Sequence, residues 1–454
     1  MENNNNTMLF GLDERPPVFT SVLVGLQHVL AVFGGILTAP LIIALGMGLS
    51  VRDTSYLVSS ALVVSGLATI LQIQRIGPVG SGLLSIQGTS FSFIGPLIAA
   101  FFILGGDADA HIALGTLFGS AAVCAVMMMA LSFSLPYLRQ VVTSNVTGAT
   151  VILIGATLVW TTLNNIQRAY INAEAGQEWQ VILLSSLVFA TIVVVTRLGN
   201  PWLKLGSITI GLLVGYVAAL MLNLVDFAKL DELDGVFVPH LAKYPLAVDW
   251  SVVAMLLPIF IISMMESVGD LTATSSLSGL ATRGKDYWRR VRGGVLGDSV
   301  NSLMASLFCT FPNTTFSQNN GVIQLTGVCS RYVGFYVAGF LILLGTFPIV
   351  GGMFQVMPDA VLHGATLLMF SMVAYAGYRI VLTGSPKTQD WAVVGVSIMG
   401  GWMISLVASS LSFLPPAVVT VIEFPVSTGA LIAFCLELVR FILRRLGDDG
   451  HASD

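Results

Sequence analysis

Charge is what this sequence has least of. Asp, Glu, Lys and Arg make up only 10% of 454 residues, against 55% hydrophobic residues, and the mean hydropathy is +0.86. A soluble domain, with roughly 25% charged residues, is excluded. Cysteine and histidine are also scarce. Cys124, Cys309, Cys329 and Cys435 are scattered through apolar segments, as are the five histidines, without metal-ligand spacing. The cysteines therefore read as packing residues, and neither a metal nor a cofactor is expected. There is no Gly-rich nucleotide loop, no nucleophile and base pair, and no extramembrane stretch long enough for a separate enzyme core, so the chain does not read as an enzyme. The net charge of −4 says nothing useful about partners, because the acids lie mostly in loops, and nucleic acid is not an expected partner. Residues 1–17 lack the basic start and apolar core of a cleavable signal peptide, so insertion is expected to begin with the first span.

What the sequence does have is apolar runs long enough to cross a bilayer, which needs about 20 residues each. Fourteen candidates are centred near Ala31, Val64, Ile94, Ala122, Leu153, Val188, Leu213, Phe260, Leu303, Gln324, Leu341, Leu367, Gly400 and Leu431. The third and tenth are short and rich in Gly, Ser and Thr, and the count is twelve if those two are re-entrant. With both ends inside, the cytoplasmic segments collect most basic residues, including Arg15, Arg75, Arg139, Arg197, the Arg283–Arg292 cluster, Arg331, Arg379 and Arg440. The opposite side keeps Arg52, Arg168, Lys229 and Lys243, an asymmetry that supports an even number of spans.

One internal similarity stands out. Gly88-Thr89-Ser90-Phe91-Ser92 resembles Asn313-Thr314-Thr315-Phe316-Ser317, 225 residues later, and both lie in the two short spans near prolines (Pro78, Pro96 and Pro312). Inverted repeats in carriers place a binding site where two broken helices meet near mid-membrane. Each broken span is expected as an extended piece followed by a half-helix whose N-terminus offers spare N–H donors. Intramembrane acids are few. Glu266 and Asp270 sit one turn apart in a single span, and Asp298 opens the next. A carboxylate there costs several kcal/mol unless paired, hydrated or protonated, so each marks a candidate site. Helix capping or local pairing is the competing reading for Asp270 and Asp298. Glu423 and Glu437, near the ends of the last span, read as interfacial.

Amide side chains beside glycine carry the most information. Gln318-Asn319-Asn320-Gly321-Val322-Ile323-Gln324-Leu325-Thr326-Gly327 resembles the signature of the nucleobase/ascorbate transporter family. Gly25-Leu26-Gln27-His28 resembles its Gln-His motif and Glu266-Ser267-Val268-Gly269-Asp270 its acidic motif, in matching order over about residues 14–445. The resemblance is closest to the bacterial xanthine and uric acid permease branch, and the continuation through Arg331 to Gly334 fits that branch apart from Cys329.

The resemblance implies an all-α membrane protein of 14 spans, built as two inverted seven-span repeats with extended stretches in spans 3 and 10. A cytoplasmic tail (1–20) leads into a core domain (21–135), followed by a gate domain (136–225) and an outer loop (226–249). A second core portion (250–350), a second gate portion (351–445) and a cytoplasmic tail (446–454) complete it. It also implies a homodimer through the gate, residence in the bacterial inner membrane with both termini cytoplasmic, and elevator-type uptake of a purine driven by the proton gradient. In xanthine, ring N–H donors stand beside carbonyl acceptors, which suits the Glu266 carboxylate and the Gln318 amide. The backbone around Phe91 and Ser317 is expected to add contacts, and Phe91 or Phe316 to stack on the ring. Ser90, smaller than the residue usual in xanthine-selective relatives, leaves room for urate. Asp298 is the expected proton-coupling group, with Glu266 sharing that role and His28 a partner of either Asp298 or Asn319. Asn319, Asp270, Gly321 and Thr326 are expected to support the site, and Arg331 to anchor topology. Another nucleobase, or an anion on the same fold, remains an alternative substrate.

Overall fold

The computed structural model describes residues 8–135, 143–173, 176–198, 200, 203–204, 206–233, 235–383, 386–411, 418–419 and 422–450. Arg139 and the expected tail 446–454 lie outside those residues or outside their described side chains. The first helices are α1 (Val18–Gly46) and α2 (Val51–Gln74), then strand β1 (Gln87–Thr89), a 3-10 turn (Phe91–Phe93), α3 (Ile94–Ile103) and α4 (Ala110–Ser132). Next come α5 (Ser144–Ile171), α6 (Glu178–Arg197), α7 (Ser207–Met221), α8 (Trp250–Leu277) and α9 (Lys285–Leu307). Strand β2 (Asn313–Thr315) precedes α10 (Gln318–Thr326), α11 (Arg331–Thr346), α12 (Pro348–Gln355), α13 (Asp359–Thr383), α14 (Thr388–Val407) and α15 (Pro425–Gly450).

Among the described residues, nine helices are long and apolar enough to cross a bilayer: α1, α2, α4, α5, α6, α8, α13, α14 and α15. The pair α11 and α12, bent by 70°, makes a tenth. All fourteen expected centres fall in helices, but five of those helices, α3, α7, α9, α10 and α11, fall short of a span taken singly. α3 and α10 are short because their first halves are extended, α7 has 15 residues, and α9 opens on a charged turn with Lys285, Arg289 and Arg290.

Polar caps start several of these helices. Ser50 accepts from Asp53 N ahead of α2, Asp109 accepts from His111 N and Ile112 N ahead of α4, and Asp249 accepts from Ser251 N and Val252 N ahead of α8. Each cap satisfies donors that a helix start leaves open.

The two extended stretches pair with each other. β1 and β2 run antiparallel with Gln87 opposite Thr315, Gly88 opposite Thr314 and Thr89 opposite Asn313. Ser90 N donates to Pro312 O (3.1 Å) and Phe316 N to Ile86 O (3.0 Å), extending the pairing at both ends. The similar pentapeptides therefore meet as a crossed pair, and the half-helices α3 and α10 lead away from it. Gly88 and Gly35 make room for one side chain: a β-carbon on either would stand within 2.7 Å of the Phe316 ring.

Small residues also bring long helices together. In α5 and α13, a β-carbon on Gly155 would lie 2.3 Å from Ala374 N, and one on Gly377 would lie 2.5 Å from Ile152 N. Such contact lets backbones approach where lipid offers no hydrophobic drive for association. The loop before α8, expected only to lie outside, is sewn onto the helices beneath it. Phe237 N donates to Thr346 O (2.8 Å), Ala242 N to Leu307 O (2.8 Å) and Tyr244 Oη to Asp53 Oδ1 (2.8 Å). Lys243 lies 3.8 Å above the Tyr56 ring centre and pairs with Asp53.

Glu437, expected as an interfacial acid near the end of its span, is buried within the protein. Arg440 Nη1 lies 2.8 Å from Glu437 Oε1 and 2.9 Å from Asp390 Oδ1, and Asn145 Nδ2 donates to the same two oxygens. Neutralisation by Arg440 and the amide lets the acid sit buried between α5, α14 and α15.

Gly119→Ala should test the loop attachment, because its β-carbon would lie 1.9 Å from Ala247 O. Overpacking of about 1–3 kcal/mol should appear as a lower melting temperature of the purified protein. Gly339→Ala, with nothing within 4 Å, should leave it unchanged. Equal melting of the two variants would contradict the close approach.

Candidate functional site

The crossed strands form one wall of a cavity of about 930 Å³. Ser90, Phe91 and Ser92 enter it from the first crossing segment, Thr314 to Gln318 from the second, Glu266 and Asp270 from α8, and Thr147 and Val373 from α5 and α13. All five expected substrate contacts, Glu266, Gln318, Phe91, Ser90 and Ser317, line this one space, together with Asp270.

Local structure decides what each residue presents. Ser90 caps the 3-10 turn by accepting from Ser92 N (3.3 Å), so its hydroxyl is partly engaged. Ser92 Oγ, at 3.2 Å, donates to Glu266 Oε2, leaving the carboxylate further acceptor positions. Ser317 and Gln318, at the start of α10, are exposed to the cavity. Phe316 is buried in its glycine notch, whereas Phe91 is partly exposed with its ring centre 6.2 Å from that of Phe316 and 6.3 Å from that of Phe370. Phe91 is therefore the aromatic face available to a flat ring.

Asp298 does not line the cavity. It is buried behind the strands, where Gln72 Nε2 donates to its Oδ1 (3.1 Å) and Ser267 Oγ donates to its Oδ2. Gln72 also bonds Gly294 O (3.2 Å) and accepts from Ser81 N (3.2 Å). Of the two partners open to His28, the structure places Asn319 beside its fully buried ring. Asn319 Nδ2 donates to Leu84 O (2.6 Å), bracing α10 against the segment before β1. Asn320 Oδ1 accepts from Thr274 Oγ1 (2.6 Å), tying α10 to α8. Thr326 accepts from Val328 N (3.1 Å) just past the left-handed Gly327 that ends α10, and Gly321 lies within that helix. Arg331 pairs with Asp13 at 2.7 Å, binding the N-terminal segment to the start of α11.

A second cavity, of about 1060 Å³, borders the C-terminal half of α5, with Asn165 and Arg168, and the N-terminal half of α13, with Asp359 and His363. The first cavity borders the opposite halves of those helices. Among the described residues, Ser92 alone lines both, so the two spaces lie end to end with the Glu266 partner at the divide.

The family profile Xan_ur_permease, described as "Permease family", matches residues 19–410. The chain belongs to the nucleobase/ascorbate transporter family. Family membership makes it a transporter and not an enzyme. It is 38% identical to the xanthine permease XanQ of Escherichia coli K12 over 435 residues, covering 95% of this chain and 93% of XanQ. It is 37% identical to the xanthine permease XanP of the same strain over 444 residues, 96% of each chain. Among solved structures, the murine anion transporter Slc26a9 in its inward-facing state is similar with a TM-score of 0.64 and 13% identity, over 95% of this chain and 70% of that one. At that identity the similarity shows the fold alone.

Two members of the site escaped sequence reading. Gln72 is one polar residue at the end of an apolar span, with only its polarity as a signal, and its partner is 226 positions away. Ser92 was visible inside the repeated pentapeptide but not as the partner of Glu266, which comes 174 positions later. Gln72→Met should leave Asp298 Oδ1, Gly294 O and Ser81 N without that amide. Loss of such partners costs about 1–3 kcal/mol per buried group, so the melting temperature of purified protein should fall. An unchanged value would remove Gln72 from the support of Asp298.

Proposed function

We propose that the protein takes up a purine base, xanthine or uric acid, together with protons. The observation that carries this reading is that Glu266 and Gln318, one an acceptor-only carboxylate and the other an amide that gives and receives, line the same cavity beside the partly exposed ring of Phe91. A planar heterocycle with adjacent N–H and C=O groups matches that trio. The names of XanQ and XanP support the substrate class. Ser90 leaves the space that would admit urate. A second nucleobase such as uracil is the next candidate, and an anion is disfavoured because Glu266 and Asp270 both face the cavity.

In this reading the fourteen segments are all spans, α3 and α10 being the membrane-crossing halves of two broken ones. Residues 21–135 and 250–350 form the core domain that carries the crossed strands, and 136–225 and 351–445 form the gate, through which two copies pair. The core moves against the gate as an elevator, and the two end-to-end cavities along α5 and α13 support access from alternate sides. The N- and C-terminal tails face the cytoplasm and the carrier resides in the inner membrane. Asp298, with Glu266, carries the coupled proton, and His28 with Asn319 holds α10 in place. Loading a proton before the core crosses removes a charge from low dielectric. No cofactor is required beyond the proton gradient.

Uptake of labelled xanthine, urate, uracil and sulfate in a purine-transport-deficient bacterium tests this directly. Xanthine or urate should accumulate, and a proton uncoupler should abolish accumulation. Sulfate uptake without purine uptake would overturn the substrate class, and insensitivity to the uncoupler would overturn the coupling.

Two substitutions separate the roles of the pair. Glu266→Gln should reduce purine accumulation at least tenfold with the protein still inserted, and Gln318→Glu should shift preference among bases. Unchanged selectivity in Gln318→Glu would place that amide outside the substrate contacts.

A further inference from the structure

Asp298 is shut off from the cavity, yet only two hydroxyls separate them. Ser267 Oγ donates to Asp298 Oδ2, and Ser267 Oγ and Thr314 Oγ1 are 3.1 Å apart. Thr314 lies on the cavity wall, in the middle of β2, while Ser267 directly follows Glu266 in α8. The opposite carboxylate oxygen is held by Gln72, whose amide cannot rotate freely because its own oxygen accepts from Ser81 N. Oδ2 is thus the oxygen turned towards the hydroxyl pair.

Resting on the reading of Asp298 as the proton-coupling group, we infer that Thr314 and Ser267 form a two-hydroxyl relay between cavity water and Asp298. A hydronium in the cavity gives a proton to Thr314 Oγ1 as Thr314 passes its own to Ser267 Oγ, and Ser267 passes its own to Asp298 Oδ2. Each hydroxyl ends with one proton, as it began, and the net change is one water formed in the cavity and one neutral carboxyl behind the strands. Serine and threonine suit this role because a hydroxyl both donates and accepts.

The elements packed on α9 leave the relay few competitors. α8 brings Glu266 and Asp270 as its titratable groups near Asp298, α2 brings the neutral Gln72, and β2 brings Thr314. α4 brings Cys124, whose thiol donates to Val253 O (3.6 Å). In this scheme adjacent residues of α8 serve the substrate and the proton, Glu266 on the cavity and Ser267 on the Asp298 side.

The test compares net uptake with substrate exchange in proteoliposomes holding full-length protein. Exchange of external for internal labelled xanthine needs no net proton transfer, whereas accumulation under an imposed pH gradient does. Thr314→Val, which keeps shape without the hydroxyl, should lower gradient-driven accumulation more than tenfold with exchange within twofold of the parent protein. Ser267→Ala should behave in the same way, and Thr314→Ser should rescue accumulation. Full accumulation in Thr314→Val, or equal loss of exchange and accumulation in both Thr314→Val and Ser267→Ala, would overturn the relay. If the parent protein itself accumulates xanthine without a proton gradient, the coupling reading fails first, a result distinct from failure of the relay alone.

Discussion

The structure depends on how two short extended segments satisfy their backbone groups at membrane depth. In hydrocarbon an unpaired N–H or C=O costs several kcal/mol, so non-helical backbone survives only when buried in protein or facing water. β1 and β2 meet this demand by pairing with each other, and the further bonds from Ser90 and Phe316 close both ends of the pair. Their partnership requires the two halves of the chain to meet. It therefore fixes the places from which α3 and α10 start, and with them the positions of Phe91 and Gln318. The glycines at 35 and 88 serve the same arrangement by accommodating Phe316, which leaves Phe91 as the ring beside the cavity.

Around that crossing the acids occupy two environments. Glu266 keeps acceptor positions towards open space and has one bond from Ser92. Asp298 is enclosed, with both oxygens engaged by α2 and α8. A carboxylate on the cavity can read a ligand, while one behind the wall can respond to proton supply without occupying the same volume. Charge in low dielectric is costly when isolated, and the amide of Gln72 together with the hydroxyl of Ser267 supplies the hydrogen bonds that make the enclosed position tolerable.

The opposite cavity wall is built by different means. α5 and α13 approach through Gly148, Gly155 and Gly377, so their contact is one of backbones and small side chains. The Glu437–Arg440–Asp390 network with Asn145 joins α14 and α15 to the start of α5. Hydrogen-bonded charges and close-packed glycines both favour a stiff body. The loop sewn onto α2, α9 and α11 likewise binds the crossing half into a unit.

Membrane character was determined by the sequence itself, because the scarcity of charge and the repeated apolar runs leave no other solvent for the chain. The extended character of residues 87–89 and 313–315 was also legible, since Gly, Thr and nearby proline disfavour a continuous helix, and so was the acid in the Glu266 motif. Family membership followed from motifs in register. Tertiary structure alone decided that the two pentapeptides pair strand to strand, that Ser92 serves Glu266, that Gln72 clasps Asp298, and that Glu437 is buried against Asn145. Each of these joins residues from separate elements, most of them far apart in the chain. A hydrogen bond depends on distances of a few ångströms in space, and local composition and periodicity carry no record of which distant side chain will arrive there.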